Sequence, residues 1–255
     1  MYFKGEFDVK IDNKISFKII HYGKNFYSAT SLFWRGVTGD IESESMKIWI
    51  KLSKISTVIF DIGSNFGTYS LVSKAIRPQA IIHAFEPVPY TFNRLEKNIK
   101  INQFDINCHQ EAMSNMNGQC EMNGMEENSE NCCASLNKDY TRNLTGSTII
   151  NTRRLDSFIE EQNIQQIDLM KIDVETFEPQ VLEGMGKYLA IFKPSILIEI
   201  LNDEVASKVE KIVEGVGYKF FCLRENNITK EEKLFPLFPS NFLLCVDSIA
   251  QKIGL

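Results

Sequence analysis

The strongest indication of the fold is the segment Val58-Ile-Phe-Asp61-Ile-Gly63-Ser-Asn65-Phe-Gly67-Thr-Tyr69. Its first five residues are mostly apolar and β-branched, which predicts a buried strand. Gly63 and Gly67 then predict a tight turn that lets the backbone approach a ligand, and a helical pattern begins directly afterwards. The first N–H groups of a helix are free to bind whatever lies in front of them. A strand, a glycine turn and a helix in this order are typical of nucleotide sites in open α/β sheets.

The spacing of the two glycines excludes the commonest nucleotide motifs. The pattern is G-x-x-x-G, whereas dinucleotide enzymes carry G-x-G-x-x-G. A Walker A sequence is also missing from the chain. The turn therefore matches neither the dinucleotide fingerprint nor the triphosphate-binding loop.

Beyond residue 57, short apolar runs alternate with amphipathic helical patterns. The predicted strands are 58–62, 81–85, 106–110, 167–172 and 196–200, and the predicted helices are 69–76, 90–101, 155–161, 179–189 and 204–216. Such alternation is typical of βαβ units and of a parallel sheet covered by helices on both faces. Two further runs, 218–223 and 242–246, have no clear helix between them and predict an antiparallel pair at the sheet edge.

The first 56 residues predict an N-terminal appendage. Apolar and polar residues alternate on both sides of Asp12-Asn13-Lys14, as in a β-hairpin. A helix is predicted from apolar residues at spacings of three and four, namely Ile48, Trp49, Leu52 and Ile55. We therefore divide the chain into a hairpin and helix appendage (1–56) and a main domain (57–255). Within the main domain, the polar stretch 115–145 predicts an inserted functional flap.

Three successive predicted strands are followed by an acidic residue or contain one at the tip: Asp61, Glu86 and Glu111. A carboxylate after the second strand can accept both hydroxyls of a ribose, and one after the third can meet an exocyclic amine. Together with the glycine turn, these acids predict a pocket for an adenosine that carries a positive charge rather than phosphates. Among the common cofactors, S-adenosylmethionine (SAM) fits this description.

Composition excludes several classes of protein. With 44% hydrophobic and 24% charged residues among 255, the chain is neither disordered nor fibrous, and a net charge of -5 argues against a nucleic-acid binder. The six cysteines form no C-x-x-C pair, so they predict reduced thiols rather than a zinc site. No secretory signal is visible, and no apolar run approaches the ~18 residues of a membrane span. We expect a cytoplasmic protein with neither a membrane span nor a nucleic-acid partner.

Several motifs occur in order and at sensible spacing between residues 58 and 246. They are Asp61-Ile-Gly63-Ser-Asn65-Phe-Gly67, Phe85-Glu86-Pro87, Arg154-Leu-Asp156, Lys171-Ile-Asp173-Val-Glu175, Glu178-Pro-Gln-Val-Leu-Glu-Gly184 and Asn241-Phe242-Leu243. With these motifs, the chain resembles the FkbM-type SAM-dependent methyltransferases. One position departs from the family pattern: Thr176 stands where glycine is usual. A β-branched residue there is expected to alter the turn or to narrow the acceptor pocket.

The resemblance implies a seven-stranded, Rossmann-like class I methyltransferase fold, mostly parallel with an antiparallel last strand. It also implies that SAM lies over the glycine turn, with Glu86 on the ribose and Glu111 near the adenine. The cofactor-binding residues would be Asp61, Gly63, Ser64, Asn65, Gly67, Glu86 and Glu111. Members of the family mostly methylate hydroxyl groups of sugars and polyketide-type molecules, so a small-molecule or glycan acceptor is implied.

Methyl transfer to a hydroxyl requires alignment of the reacting atoms and a base that takes the proton. The candidate catalytic residues, in order of preference, are Asp173, Glu175 and Glu199. His83 is expected in the core, and His109 is expected on the cofactor side. These carboxylates could also bind Mg²⁺, but the sequence shows no compact acidic pair flanking Asp173 at metal-ligand spacing. No residue is therefore assigned to a metal.

Two other functions stay open at this point. One is a nicotinamide-dependent oxidoreductase on a similar sheet, although the missing third glycine and the many acids count against it. The other is a SAM-binding module without catalytic activity. The motifs do not distinguish a saccharide from a polyketide, a lipid-linked glycan or an amine as the acceptor, and they do not indicate the oligomeric state.

Overall fold

The computed structural model describes residues 3–23, 27–39, 42–124, 134–141, 146–236 and 241–255. The strands are β1 (Gly5–Lys10), β2 (Ser16–His21), β3 (Val58–Ile62), β4 (Ile81–Phe85), β5 (Asn107–His109), β6 (Ala112–Ser114), β7 (Gly118–Asn123), β8 (Ser147–Arg154), β9 (Leu169–Ile172), β10 (Ser195–Glu199), β11 (Lys219–Arg224), β12 (Asn227–Glu231) and β13 (Asn241–Cys245). The helices are α1 (Tyr27–Arg35), α2 (Ser43–Ser53), α3 (Thr68–Ile76), α4 (Pro89–Asn102), α5 (Leu155–Glu161), α6 (Glu178–Met185), α7 (Lys187–Phe192), α8 (Asp203–Val213) and α9 (Asp247–Ile253).

The central sheet has the strand order β12-β11-β13-β10-β9-β3-β4-β5. The strands from β10 to β5 run parallel, whereas β13 is antiparallel to both β10 and β11. The predicted α/β fold, mostly parallel with an antiparallel last strand, is confirmed. Since β3 pairs with β4 on one side and with β9 on the other, the connections diverge there and open a crevice at the carboxyl ends of the strands.

Strand β3 lies in the middle of the sheet and is buried along its whole length. Its nearly uninterrupted apolar sequence is what a parallel strand covered on both faces requires. The register sets Asp61 of β3 beside Lys171 of β9. At the same edge of the sheet, Glu199 of β10 pairs with Asn241 of β13. Four polar residues from four strands are thereby brought to one crevice.

All seven predicted strands of the sheet are present, and β12 adds an eighth at the edge. Strands β11 and β12 form a hairpin around Asn226, which has a φ of +57°. The β12 residues are exposed or half-buried, so no apolar pattern marks this strand in the sequence. The predicted antiparallel pair also has a different position, because β13 lies between β10 and β11 rather than at the edge.

A second, three-stranded sheet has the order β6-β8-β7. Part of the predicted flap belongs to this sheet, because β7 pairs with β8. Residues 134–141 lie beside it, where Ser135 forms an isolated bridge with Asn123 of β7. Residues 125–133 and 142–145 of that stretch are outside the described residues. Strand β8 was missed because its buried positions, Ile150 and Thr152, give no clear apolar alternation.

The N-terminal residues form the predicted hairpin and pack on the main domain. Asp12 closes the turn between β1 and β2 by accepting the N–H of Lys14. Asn98 of α4 accepts the N–H of Ile20 at 2.9 Å, and Asn102 accepts the N–H of Lys18 at 2.6 Å. The apolar face of the hairpin belongs to the same core as β3 and α3. The division of the chain at residue 56 stays a prediction.

Helix α2 covers the predicted helical stretch and joins the same core. The indole Nε1 of Trp49 donates to the carbonyl oxygen of Tyr69 at 3.1 Å and to Ser73 at 2.8 Å, so α2 is held against α3. Within the described part of the chain, no helix is both long and apolar enough to cross a membrane.

Candidate active site

The turn after β3 connects that strand to α3. The backbone φ is +76° at Gly63, +49° at Asn65 and +94° at Gly67, in the left-handed region that glycine adopts most easily. The N–H groups of Gly63 and Ser64 both donate to the carbonyl oxygen of Phe85, at 3.0 Å each. The turn is therefore fixed to the end of β4, where the next predicted site residue follows.

Asp61 of β3 carries a buried carboxylate, and only one of its two oxygens has hydrogen-bond partners among the described residues. The residue is 1% exposed, and its Oδ2 accepts the N–H and the hydroxyl of Ser70 at 3.0 and 2.6 Å. Its Oδ1 has no hydrogen-bond partner among the described residues. Burial raises the pKa of Asp61, although the Lys171 ammonium and Ser70 oppose that shift. A buried oxygen without a partner is costly, so Asp61 offers an acceptor that a ligand N–H or O–H can satisfy.

Glu86 follows β4 and faces the glycine turn. Its Oε2 accepts the N–H of Asn65 at 3.0 Å, and its Oε1 accepts the N–H of Val88 at 2.9 Å. Burial raises the pKa of this carboxyl to about 7. Both oxygens are held in place by the backbone, and each keeps further acceptor capacity, which suits the two hydroxyls of a ribose.

Lys171, near the end of β9, is a buried cation beside several acids. Its Nζ lies 2.5 Å from Oδ2 of Asp173 and 4.7 Å from the centre of the Tyr69 ring. Burial opposes the charge, but the carboxylates of Asp173, Glu42 and Asp61 together raise the pKa of Lys171. The lysine stays protonated and neutralises part of the acidic cluster.

Asp173, Glu175 and Glu199 each bring one carboxylate oxygen within 4.8 Å of the others. We call these three residues the acid trio. Burial, reinforced by the neighbouring acids, raises the pKa of Glu175 to about 7 and also raises the pKa of Glu199. The hydroxyl of Tyr140 donates to Oε2 of Glu175 at 2.5 Å, which opposes the shift at Glu175. Oxygen ligands at this separation are compatible with proton transfer and also with a divalent cation.

The turn that carries Glu175 is held by residues 134–141, the clamp segment. Glu175 and Thr176 have φ values of +55° and +74°, two successive left-handed residues without a glycine. Ser135 donates through Oγ to the carbonyl oxygen of Glu175 at 2.6 Å, and Asn137 donates through Nδ2 to Oγ1 of Thr176 at 2.8 Å. The clamp segment thus fixes the backbone of the turn and, through Tyr140, the Glu175 carboxylate.

One cavity of about 330 Å³ unites these features at the carboxyl edge of the sheet. The predicted site residues that line it are Asp61, Gly63, Ser64, Asn65, Glu86, Glu111, Asp173, Glu175 and Glu199. Gly67 is not among the lining residues. Near Glu111, which is 3.4 Å from Nη1 of Arg153, the wall is apolar and includes Val88, Met113, Met122 and Leu136. An apolar wall with an acceptor at its end suits the adenine ring.

A family model, described as the Methyltransferase FkbM domain, matches residues 61–220. That span is more than half of the chain, and it contains the glycine turn, Glu86 and the acid trio. The chain belongs to the FkbM methyltransferase family.

Several curated methyltransferases are similar to the chain. "Methyltransferase 1" of Beauveria bassiana is 27% identical over 196 residues, which cover 70% of this chain and 79% of the relative. The hexuronic acid methyltransferase AglP of Haloferax volcanii is 26% identical, covering 58% of each chain. The 31-O-demethyl-FK506 methyltransferase FkbM of Streptomyces tacrolimicus is 29% identical, covering 50% of this chain and 59% of the relative.

In this FkbM-family chain, packing requires the glycine at position 63. A Cβ atom on Gly63 would lie 1.9 Å from the backbone oxygen of Asp173. On Gly67 it would lie 2.5 Å from Cδ1 of Leu95, the end of a side chain. Gly63 also lines the cavity, so the close approach of its backbone to a ligand stays a prediction.

His109 does not lie on the cofactor side, contrary to the sequence expectation. It is not among the lining residues of the cavity, and its Nε2 is 3.0 Å from Nδ1 of His83. The two rings stack 5.2 Å apart, and burial lowers the pKa of both histidines to about 4. His83 is buried, as predicted.

Sequence reasoning missed Glu42, Tyr69 and Tyr140. The Glu42 carboxylate lines the cavity and accepts the Tyr69 hydroxyl at 2.9 Å and Nδ2 of Asn241 at 3.1 Å. In the sequence, Tyr69 was interpreted only as the first residue of the predicted helix 69–76. Its aromatic ring, so close to the glycine turn, could have indicated a residue of the site. Nothing local marks Glu42 or Tyr140, because each reaches the site through the packing of a distant segment.

Proposed function

We propose that this FkbM-family protein transfers a methyl group from SAM to a hydroxyl group of a sugar or another small natural product. The observation that carries the proposal is one cavity that joins the unpartnered Asp61 oxygen and the anchored Glu86 to the acid trio. The names of the relatives, which include a hexuronic acid methyltransferase and an O-demethyl-FK506 methyltransferase, support an oxygen acceptor. Family membership also weighs against a nicotinamide oxidoreductase.

The chain offers fitting partners for each part of SAM. Glu86 would accept the ribose hydroxyls, Glu111 would meet the adenine amine, and Asp61 would accept a hydrogen bond from the donor through its free Oδ1. When bound, SAM supplies an electrophilic methyl group on a positively charged sulfur. The carboxylates around the cavity stabilise that positive charge.

We assign the role of general base to Glu175. Asp173 was the first candidate in the sequence, but its Oδ2 is bonded to the Lys171 ammonium. Glu175 has a pKa of about 7 and a fixed orientation, so at neutral pH a substantial fraction is ionised and able to take the acceptor proton. Asp173 then keeps Lys171 in place. Burial and the neighbouring acids raise the pKa of Glu199 to about 9, so at neutral pH its carboxyl group is largely protonated and can donate a hydrogen bond.

Calorimetry with S-adenosylhomocysteine (SAH) and with NAD tests the cofactor assignment. We expect SAH to bind and NAD not to bind. Glu86→Gln should weaken SAH binding at least tenfold, whereas Glu96→Gln, on the exposed face of α4, should leave it unchanged. A folded protein that binds no SAH would contradict the proposal. A protein that binds SAH but transfers no methyl group from tritium-labelled SAM to any acceptor would be an inactive binding module.

Chelation tests the role of the acid trio. Since Lys171 already engages Asp173, we propose that the trio handles a proton and does not need a divalent cation. Methyl transfer should persist after treatment with EDTA. If EDTA abolishes transfer and Mg²⁺ restores it, the three carboxylates act as metal ligands instead.

A further inference from the structure

The cavity has two halves that follow the order of the strands. At the ends of β3, β4 and β5 lie Asp61, Glu86 and Glu111, which form the donor half. At the ends of β9 and β10 lies the acid trio, and we call this part the acceptor half. Since the methyl group must pass from one half to the other, the chemistry of the acceptor half decides which hydroxyl compound is accepted.

Glu42 adds a fourth carboxylate to the acceptor half. It reaches the cavity from the start of α2, where Asn241 donates to its Oε1 and Tyr69 donates to its Oε2. Asn241 is the register partner of Glu199, so Glu42 is anchored over the end of β10. Its negative charge also acts on Lys171.

The acceptor half contains more acidic than basic groups. Four acidic side chains, Glu42 and the acid trio, face a single ammonium group, that of Lys171. At neutral pH Glu199 is largely protonated and Glu175 partly ionised, because burial and the neighbouring acids raise the pKa of both. The Lys171 side chain is 6% exposed and already bonded to Asp173. No other lysine, arginine or histidine is among the described residues that line the cavity. An anionic group placed here would lose its hydration and find no free cation to pair with.

Part of the cavity wall is apolar. Leu32 and Val37 precede α2, Met46 lies one turn after Glu42, and Phe177 follows the turn that carries Glu175. Three of these four residues come before residue 61, where the family match begins. This wall is therefore built by this chain's own N-terminal segment, and it suits the apolar face of a sugar ring.

We infer that the acceptor is a neutral or amino sugar, and that sugars carrying a carboxylate or a phosphate beside the reacting hydroxyl are excluded. This inference rests on the proposed methyl transfer and specifies its substrate class. A neutral ring packs on the apolar wall while its hydroxyl meets Glu175. An ammonium group is stabilised by the Glu42 carboxylate and by the ionised fraction of Glu175, and an anionic group is repelled by them.

Matched sugars test the inference in the full-length protein with tritium-labelled SAM. The panel contains methyl glycosides of gluco, galacto and manno configuration, each as the hexose, the 2-amino sugar, the uronic acid and the 6-phosphate. We expect transfer to at least one neutral or amino sugar, with kcat/KM at least tenfold above that of its uronic acid and its phosphate. Equal or better transfer to an acidic partner would overturn the inference. The inference would also be overturned if protein that binds SAH transferred no methyl group to any neutral or amino sugar. A protein that does not bind SAH would instead contradict the proposed function.

A pair of charge variants tests the part played by α2. Glu42→Gln removes a charge that faces the cavity, and Glu44→Gln removes one two residues away that does not line it. Glu42→Gln should reduce the preference for the neutral sugar over its uronic acid at least threefold, whereas Glu44→Gln should leave the ratio unchanged. Unchanged SAH affinity shows that either variant is folded, and an unaltered ratio in a folded Glu42→Gln protein would count against the inference.

Discussion

Nδ2 of Asn137 donates a 2.8 Å hydrogen bond to Oγ1 of Thr176, which joins the clamp segment to the turn that carries the proposed base. Thr176 has a φ of +74°, a conformation that glycine adopts freely and a β-branched residue adopts only with strain. Such strain costs about 1–3 kcal/mol. Thr176, at the position where glycine is usual, therefore supplies a hydrogen-bond acceptor but holds its backbone in a strained conformation.

This contact should appear as energetic coupling between the two side chains. Asn137→Ala should lower the free energy of unfolding by about 1 kcal/mol in the native sequence, because a hydrogen bond is lost. In a Thr176→Gly background, the same substitution should cost less, since the acceptor is missing and only the bond from the N–H of Asp139 to Oδ1 of Asn137 is left to lose. Urea unfolding of the two single variants and the double variant measures this coupling. Strict additivity would show that the hydrogen bond does not stabilise the turn.

Tyr140 should set the pH at which Glu175 ionises. Its hydrogen bond favours the charged carboxylate, so Tyr140→Phe should raise the pKa of Glu175 above about 7. If Glu175 is the base, the rise of methyl transfer with pH will move to higher pH in this variant. Carboxyl ¹³C NMR titration of Glu175 measures the pKa without an acceptor.

The matched control is Tyr188→Phe, which removes a hydroxyl bonded to the exposed Glu160. It should leave both the Glu175 titration and the pH profile unchanged. A shifted NMR titration with an unshifted pH profile would remove Glu175 from the role of base.

Gly63 and Gly215 provide a matched pair of glycines with positive φ, +76° and +78°. A Cβ atom on Gly63 would overlap the backbone oxygen of Asp173, whereas one on Gly215 would meet nothing within 4 Å. We expect Gly215→Ala to cost about 1 kcal/mol of unfolding free energy, from backbone strain alone. Gly63→Ala should cost about 2–4 kcal/mol, because the strand end must also shift. Similar losses in urea unfolding would mean that the turn accommodates the methyl group.

The stacked His83 and His109 should make the protein sensitive to acid. Both have a pKa of about 4 when folded, and an unfolded histidine titrates near 6.5. The unfolded chain therefore binds protons first, and the contribution of each histidine falls as the pH drops from about 6.5 to about 4. The acids with raised pKa act in the opposite direction, so the useful measure is a difference between proteins.

His109→Phe isolates this contribution. As the pH falls below 6.5, the free energy of unfolding of this variant should rise relative to that of the native protein, by up to about 1.4 kcal/mol for each pH unit. Urea unfolding at pH 7, 6 and 5 gives the difference at each pH. A constant difference would show that His109 does not titrate as its burial requires.

The donor half was predictable because it depends on local patterns. A parallel sheet brings the carboxyl ends of its strands to one edge, so an acid at a strand end is placed in the crevice by the fold class alone. Asp61, Glu86 and Glu111 were found in this way, and the structure brings all three to the cavity.

The acceptor half was only partly predictable because it depends on tertiary packing. Glu42 reaches the cavity only when α2 docks against Tyr69 and Asn241, and no local pattern encodes that docking. Tyr140 depends in the same way on the path of the clamp segment. The packing role of Gly63 was not predictable for the same reason, since the atom that excludes a side chain there belongs to Asp173, which is distant in the sequence.

The position of β13 has a consequence for dissecting this protein. The family match stops at residue 220, within β11, while β13 begins at Asn241 and lies between β10 and β11. A fragment trimmed to the matched span would lack the strand that bridges those two neighbours, along with the amide that anchors Glu42. The matched span thus omits a strand of the central sheet, and swaps between relatives should carry that C-terminal strand with them.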